Sequence, residues 1–240
     1  MTDTDRPRHC LVTGANRGLG LEFVRQLLAR GDRVLATCRQ PGRAQALNRL
    51  VAGHPGRLHV LPLDVAMPKT HAELLRELPL VSGGASAPID LLINNAGVLH
   101  PGERFGTISP ENLDDSLRTN ASGPFLLTQA LAPQLADGAT VANLSSRLGS
   151  IASTAAFGTP SYAISKAALN MATVLLARAL AGRGITVLAL HPGWVRTDMG
   201  GAGAELEPGD AVSALLAVID RLHPTDTGSF LDRHGATVPW

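Results

Sequence analysis

The feature that most constrains this chain lies near its start. Residues 9–13 form a short apolar run that breaks into Gly14-Ala15-Asn16-Arg17-Gly18-Leu19-Gly20 and then into the helical pattern Leu21, Val24, Leu27, Leu28. Strand, glycine turn and helix in this order are the context of a phosphate-binding turn. One glycine makes the turn, and the others allow close backbone approach to a pyrophosphate and tight helix–strand packing. The spacing is G-x-x-x-G-x-G rather than the better-known G-x-G-x-x-G. Taken alone, it also reads as an ordinary glycine-rich loop.

The remaining chain repeats this alternation. Strand-like runs at residues 33–38, 57–63, 89–93, 140–144 and 185–190 alternate with helical patterns at residues 42–53, 71–78, 110–135, 161–182 and 209–222, and the tail from Gly228 supplies a seventh strand. Such alternation predicts a single α/β domain over residues 1–240, a doubly wound parallel sheet of seven strands with helices on both faces. Residues 82–88 (Ser-Gly-Gly-Ala-Ser-Ala-Pro) read as a surface loop. Residues 199–208 are Gly- and Ala-rich and allow only a small lid. The pattern from Pro110 carries Asn120 and Ser122-Gly123-Pro124 inside it. A Gly-Pro there predicts a kink that exposes carbonyls to a water.

Composition removes several function classes. The chain has 21 Lys+Arg against 20 Asp+Glu and no basic block, which argues against a nucleic-acid surface. The first residues are polar and no apolar run approaches a membrane span, so a cytoplasmic, non-membrane protein is expected. Cys10 and Cys38 lie in strand-like runs without metal spacing and read as reduced, buried thiols; no metal is expected.

The second strand ends without the Asp or Glu that would bond an NAD ribose hydroxyl; between Asp32 and Asp64 there is no acidic residue. Arg39 and Arg43 follow that strand, and Arg17 stands in the glycine turn. Arginines converging there would accept a 2′-phosphate through forked, charge-assisted hydrogen bonds, so NADP(H) is the expected cofactor. Asp64-Val65 and Asn94-Asn95-Ala96-Gly97 close the third and fourth strands, where ligands of open α/β sheets collect.

Tyr162 is the only tyrosine, and Lys166 is one of two lysines in a chain that otherwise uses arginine. Four residues apart on a helix, their side chains share a face and can reach one site. A solvated helix face would show the same pair. The helix is apolar nearly all round, which predicts burial on more than one side and contact with a partner subunit.

Taken together, Thr13-Gly14-x-x-x-Gly18-x-Gly20, Asn94-Asn95-Ala96-Gly97, Asn120, Ser146, Tyr162-x-x-x-Lys166 and Pro192-Gly193 resemble the short-chain dehydrogenase/reductase superfamily over essentially the whole chain. Ser145-Ser146-Arg147-Leu148-Gly149-Ser150-Ile151 and the ending from Gly228 to Trp240 look most like its C-factor and Sniffer-type carbonyl reductases. The resemblance implies a Rossmann domain and NADPH-dependent reduction of a carbonyl, with Tyr162 as proton donor. Lys166 would lower the phenol pKa and hold the nicotinamide ribose, Ser146 would bond the carbonyl oxygen, and Asn120 would hold a water. A phenol with a reference pKa near 10 needs such help, and active sites supply shifts of roughly 2 to 5.

The same resemblance implies cofactor contacts at Gly14, Asn16, Arg17, Gly18, Leu19, Gly20 and Arg39. It adds Asp64 at the adenine, Asn94, Ala96 and Gly97 on the adenosine ribose side, Val195 and Thr197 at the carboxamide and phosphates, and Val65, Tyr162, Lys166, Pro192 and Gly193 as further cofactor contacts. One departure stands out: the interval from Ser146 to Tyr162 exceeds the superfamily's usual spacing, which leaves Ser150 as an alternative serine.

Leu99, Arg147, Leu148, Phe157, Trp194 and Met199 are the expected substrate neighbours, mostly apolar. They suit a hydrophobic or aromatic ketone, aldehyde or quinone. A homodimer or homotetramer through residues 113–135 and 161–182 is expected. A non-redox dehydratase, epimerase or cyclase, and a cofactor-binding signalling protein, are the other functions such a scaffold admits.

Overall fold

A computed structural model describes residues 6–81 and 87–240; most of the expected loop at 82–88 falls outside the described residues. The strands are β1 (His9–Val12), β2 (Arg33–Cys38), β3 (Leu58–Pro62), β4 (Ile89–Asn94), β5 (Leu135–Leu144), β6 (Thr186–His191) and β7 (Phe230–Asp232). They form one parallel sheet in the order β3-β2-β1-β4-β5-β6-β7. The order reverses direction between β1 and β4, and ligands of such sheets bind at that crevice.

Strand residues alternate between two cores. Cys10 and Val12 of β1 join Phe23, Val24, Leu27 and Leu28 of α1 (Gly18–Ala29), with α2 (Gln45–Gly53) and α7 (Pro208–Ile219) on the same face. Leu11 points the other way, toward α3 (Pro68–Val81), α5 (Gly123–Leu131) and α6 (Pro160–Leu180). Each fully buried Leu, Val or Phe contributes about 1.5–3 kcal/mol, so both helical layers are held mainly by apolar contact with the sheet.

The long helical pattern from Pro110 differs from expectation. It divides into α4 (Pro110–Leu117), a π-helical turn over Arg118–Ser122, and α5, and the chain is already extended in β5 from Leu135. The irregularity falls where a side chain on Gly123 would lie 2.7 Å from the Val65 carbonyl oxygen. The wide turn carries Asn120 into the interior.

Helix α6, with its short continuation to Arg183, is long and apolar enough to cross a membrane by length and composition, which the sequence did not lead us to expect. One side of it, with Leu169, Leu176 and Ala177, is buried within the protein, while Ile164, Met171 and Leu175 are exposed. Its N-terminus is capped from a distance: Glu103 accepts the Ser161 N–H at 3.1 Å and the Ser161 hydroxyl at 2.6 Å. Thr159, the residue before the helix, has φ +40 and supplies no cap of its own.

Candidate active site

The carboxyl ends of the strands open onto a groove of about 1170 Å³. Small-molecule sites run to roughly 300–1,000 Å³, so the groove has room for an extended ligand beside a small reactant.

At one end stands the glycine turn. Gly14 has φ +62, and a side chain there would come within 2.8 Å of Ala96 Cα, so the ends of β1 and β4 meet backbone to backbone. Thr13 Oγ1 accepts the N–H groups of Asn95 and Ala96 at 3.0 Å each, and Asn95 Nδ2 returns to the Thr13 carbonyl at 2.9 Å. Gly14, Asn16, Arg17, Gly18 and Leu19 line the groove. Helix α1 has no side-chain cap, which leaves first-turn N–H groups available to an anion. Gly20 lies beneath this surface: its missing side chain would collide with the Gly14 carbonyl at 2.3 Å, so it serves helix packing and does not line the groove.

The β2 end contributes Arg39 and Arg43, both exposed and outside any ion pair among the described residues. Asp64 and Val65 line the same end, and Asp64 Oδ1 accepts the Ala66 N–H at 3.0 Å. Arg17 behaves differently from the expected convergence of three arginines: it pairs with Asp198 at 2.8 Å, joining the two lips of the groove.

At the other end Tyr162, Lys166 and Ser146 face one another. Burial pushes the Tyr162 phenol up to about 12, partly offset by its hydrogen bond with the Ser146 hydroxyl. Lys166 is buried, donates to the Leu144 carbonyl at 2.7 Å, and is pulled down to about 8 by desolvation. Ser150, by contrast, is fully buried, bonds Ser153 and does not line the groove. Gly97 brings the far side close: a side chain there would sit 3.1 Å from Asn120 Oδ1 and 3.8 Å from Lys166 Nζ. A phenol, an ammonium and a hydroxyl around an apolar cleft can deliver a proton to an oxygen and stabilise the anion left behind.

Residues 8–207 match the family model described as short chain dehydrogenase. The chain belongs to this family. It is 43% identical to C-signal of Myxococcus xanthus over 157 residues, covering 65% of this chain and 95% of that protein. The structure of an NADPH-bound carbonyl reductase from chicken fatty liver superposes with a TM-score of 0.91 at 37% identity, covering 98% of this chain and 100% of the other. The carbonyl reductase Sniffer of D. melanogaster superposes with a TM-score of 0.92 at 31% identity, with the same coverage. This short-chain dehydrogenase therefore stands near the C-factor and Sniffer-type group.

Within it, several expected site residues are placed otherwise. Asn94 points its amide into the protein, donating to Thr128 Oγ1 at 3.1 Å and Asn143 Oδ1 at 2.8 Å. It ties β4 to α5 and β5, and Asn95, Ala96 and Gly97 line the groove in its place. Asn120 is wholly buried and locked to Val98: Oδ1 accepts the Val98 N–H and Nδ2 donates to the Val98 carbonyl, each at 2.8 Å, with a further bond to Ser165 Oγ. Both of its amide hydrogens are thus satisfied within the protein.

Leu99, Arg147, Leu148, Trp194 and Met199 line the substrate end, but Phe157 lies outside it, edge-on to Phe105 at 5.8 Å. Pro192, Gly193, Val195 and Thr197 also line the groove. The segment beyond is tied down: Trp194 Nε1 donates to the Gly200 carbonyl at 2.9 Å, Val195 bridges Leu206, and Arg196 pairs with Glu207.

His191 was not anticipated. It ends β6 in the groove wall, accepts the Arg147 N–H on Nδ1 at 3.3 Å, and is held down to about 4 by burial and by Arg147 and Arg233, with Asp232 opposing. Its place directly before Pro192-Gly193 was the available signal.

Proposed function

We propose that this chain is an NADP(H)-dependent carbonyl reductase, reducing a ketone, aldehyde or quinone to the alcohol. The observation that carries the proposal is the Tyr162 phenol, hydrogen-bonded to Ser146 in the groove, with buried Lys166 one helical turn away. The glycine cradle of Gly14 and Gly18, the uncapped α1 and the free Arg39 and Arg43 suit a phosphorylated dinucleotide. A bound nicotinamide supplies the hydride. Ser146 holds the substrate oxygen, Tyr162 delivers a proton to it as the carbonyl π electrons move onto oxygen, and Lys166 stabilises the phenolate that remains. Cofactor and substrate share this one domain.

The apolar lining by Leu99, Leu148, Trp194 and Met199 favours hydrophobic or aromatic carbonyl compounds. Exposed Ile164, Met171 and Leu175 on α6 and Leu126 on α5 support self-association through these helices. Two buried, unpaired cysteines are compatible with a cytoplasmic setting.

Likeness to C-signal favours a second reading, a signalling protein on this scaffold, although a pure binding protein has no need of Ser146, Tyr162 and Lys166 together. Following NADPH absorbance against a panel of ketones, aldehydes and quinones tests the proposal. Stoichiometric cofactor consumption supports it. Conversion of a substrate without NADPH loss, or no turnover at all, rejects it in favour of a non-redox or signalling role.

A further inference from the structure

Ser146 opens a short turn over Arg147–Gly149, and on the proposed reading its hydroxyl and the Tyr162 phenol must meet at one substrate oxygen. The turn is fastened at both ends by one side chain. Ser145, immediately before Ser146, donates its hydroxyl to Asn170 Oδ1 at 2.6 Å. Gly149, three residues after it, accepts a hydrogen bond from Asn170 Nδ2 at 3.1 Å. Both partners are buried, Ser145 at 3% and Asn170 at 4% exposure, so neither bond is exchanged for water. A third constraint is steric: a side chain on Gly149 would lie 2.7 Å from Lys166 Cβ, so the turn rests directly on α6.

Tyr162, Lys166 and Asn170 succeed one another every four residues on that helix and share a face. We propose that Asn170 is a positioning residue that registers the Ser146 turn against the Tyr162–Lys166 face of α6, so that a single rigid element sets the distance between the serine hydroxyl and the phenol. This inference rests on the reductase reading for its kinetic arm.

An asparagine suits the task because its planar amide offers one acceptor and one donor in fixed relation, matching a hydroxyl on one side and a carbonyl on the other. The gain is precision: displacement of a reacting group by about 1 Å can cost on the order of a hundredfold in rate. A merely structural asparagine would lower stability when removed but would leave the Ser146–Tyr162 bond intact.

The test uses Asn170→Ala and Ser145→Ala in the full chain, with two readouts. First, kcat for NADPH-dependent reduction should fall about ten- to a hundredfold in Asn170→Ala while the NADPH Kd stays within about twofold. Second, because Tyr162 is the only tyrosine, its phenolate absorbance in the NADP⁺ complex reports one site. Loosening Ser146 removes a hydrogen bond that lowers the phenol pKa, so this titration should move to higher pH in both variants. If Asn170→Ala does not fold, Ser145→Ala, which deletes one hydroxyl, decides the matter. A titration at the wild-type position in a folded variant overturns the proposal, as does kcat unchanged in Asn170→Ala. A wild type that consumes no NADPH would reject the reductase reading alone, since the titration still tests the clamp.

Discussion

Lys166 Nζ lies 5.5 Å from the centroid of the Tyr162 ring and gives its hydrogen bond to the Leu144 carbonyl rather than to the phenol. The lysine is therefore a buried cation beneath the site that makes no direct hydrogen bond to the phenol. Holding it there costs stability, because the folded protein binds its proton less tightly than the unfolded chain does.

That cost has a pH window. Lys166 titrates at about 8 when folded, against a reference near 10.4. Between these values the unfolded state carries more protons, so stability rises with pH. Relative to Lys166→Met, wild type should gain on the order of 2 kcal/mol between pH 8 and pH 10. Urea midpoints of the two proteins across that range measure it; parallel curves would refute a desolvated lysine. The same substitution should remove most activity, since the phenolate loses its cation.

On the proposed reading, Arg39 and Arg43 should set the cofactor preference. A charge-assisted hydrogen bond contributes about 1.5–3 kcal/mol, so replacing both by Ala should lower kcat/KM for NADPH at least about ten- to a hundredfold and leave the NADH value nearly unchanged. Comparable use of NADH and NADPH by wild type would contradict their assignment. Arg17, already paired with Asp198, should matter less to this preference.

Gly14→Ala forces a side chain into φ +62 and to within 2.8 Å of Ala96 Cα. Left-handed strain and backbone overlap together should cost about 2–5 kcal/mol. Gly31, at φ +90 with nothing within 4 Å of the added carbon, isolates the strain alone. Gly31→Ala should therefore lose only about 1–2 kcal/mol, and thermal melts of the pair separate the two terms.

Much of this was visible in the residues. Alternating apolar runs and helical patterns were enough to anticipate seven parallel strands, because each pattern buries one kind of face. Tyr162 and Lys166 stood out because the chain spends tyrosine and lysine so sparingly. What stayed hidden concerns direction. Asn94 and Asn95 are consecutive, and successive side chains of an extended strand point opposite ways, so one enters the core and the other the glycine turn. The π-turn around Asn120 adjoins the close approach of Gly123 to the Val65 carbonyl, 58 positions away in sequence, which no local pattern reveals. Phe157 was apolar and near the site in sequence, but Phe105 offered it an aromatic edge outside the groove.

The central claim is that Tyr162 delivers the proton. Tyr162→Phe deletes one oxygen from a half-buried ring and leaves the groove its shape. Measured side by side, NADPH affinity by fluorescence titration should stay near wild type while kcat for carbonyl reduction falls about 10²- to 10⁴-fold. Near-full turnover in this variant would contradict the claim.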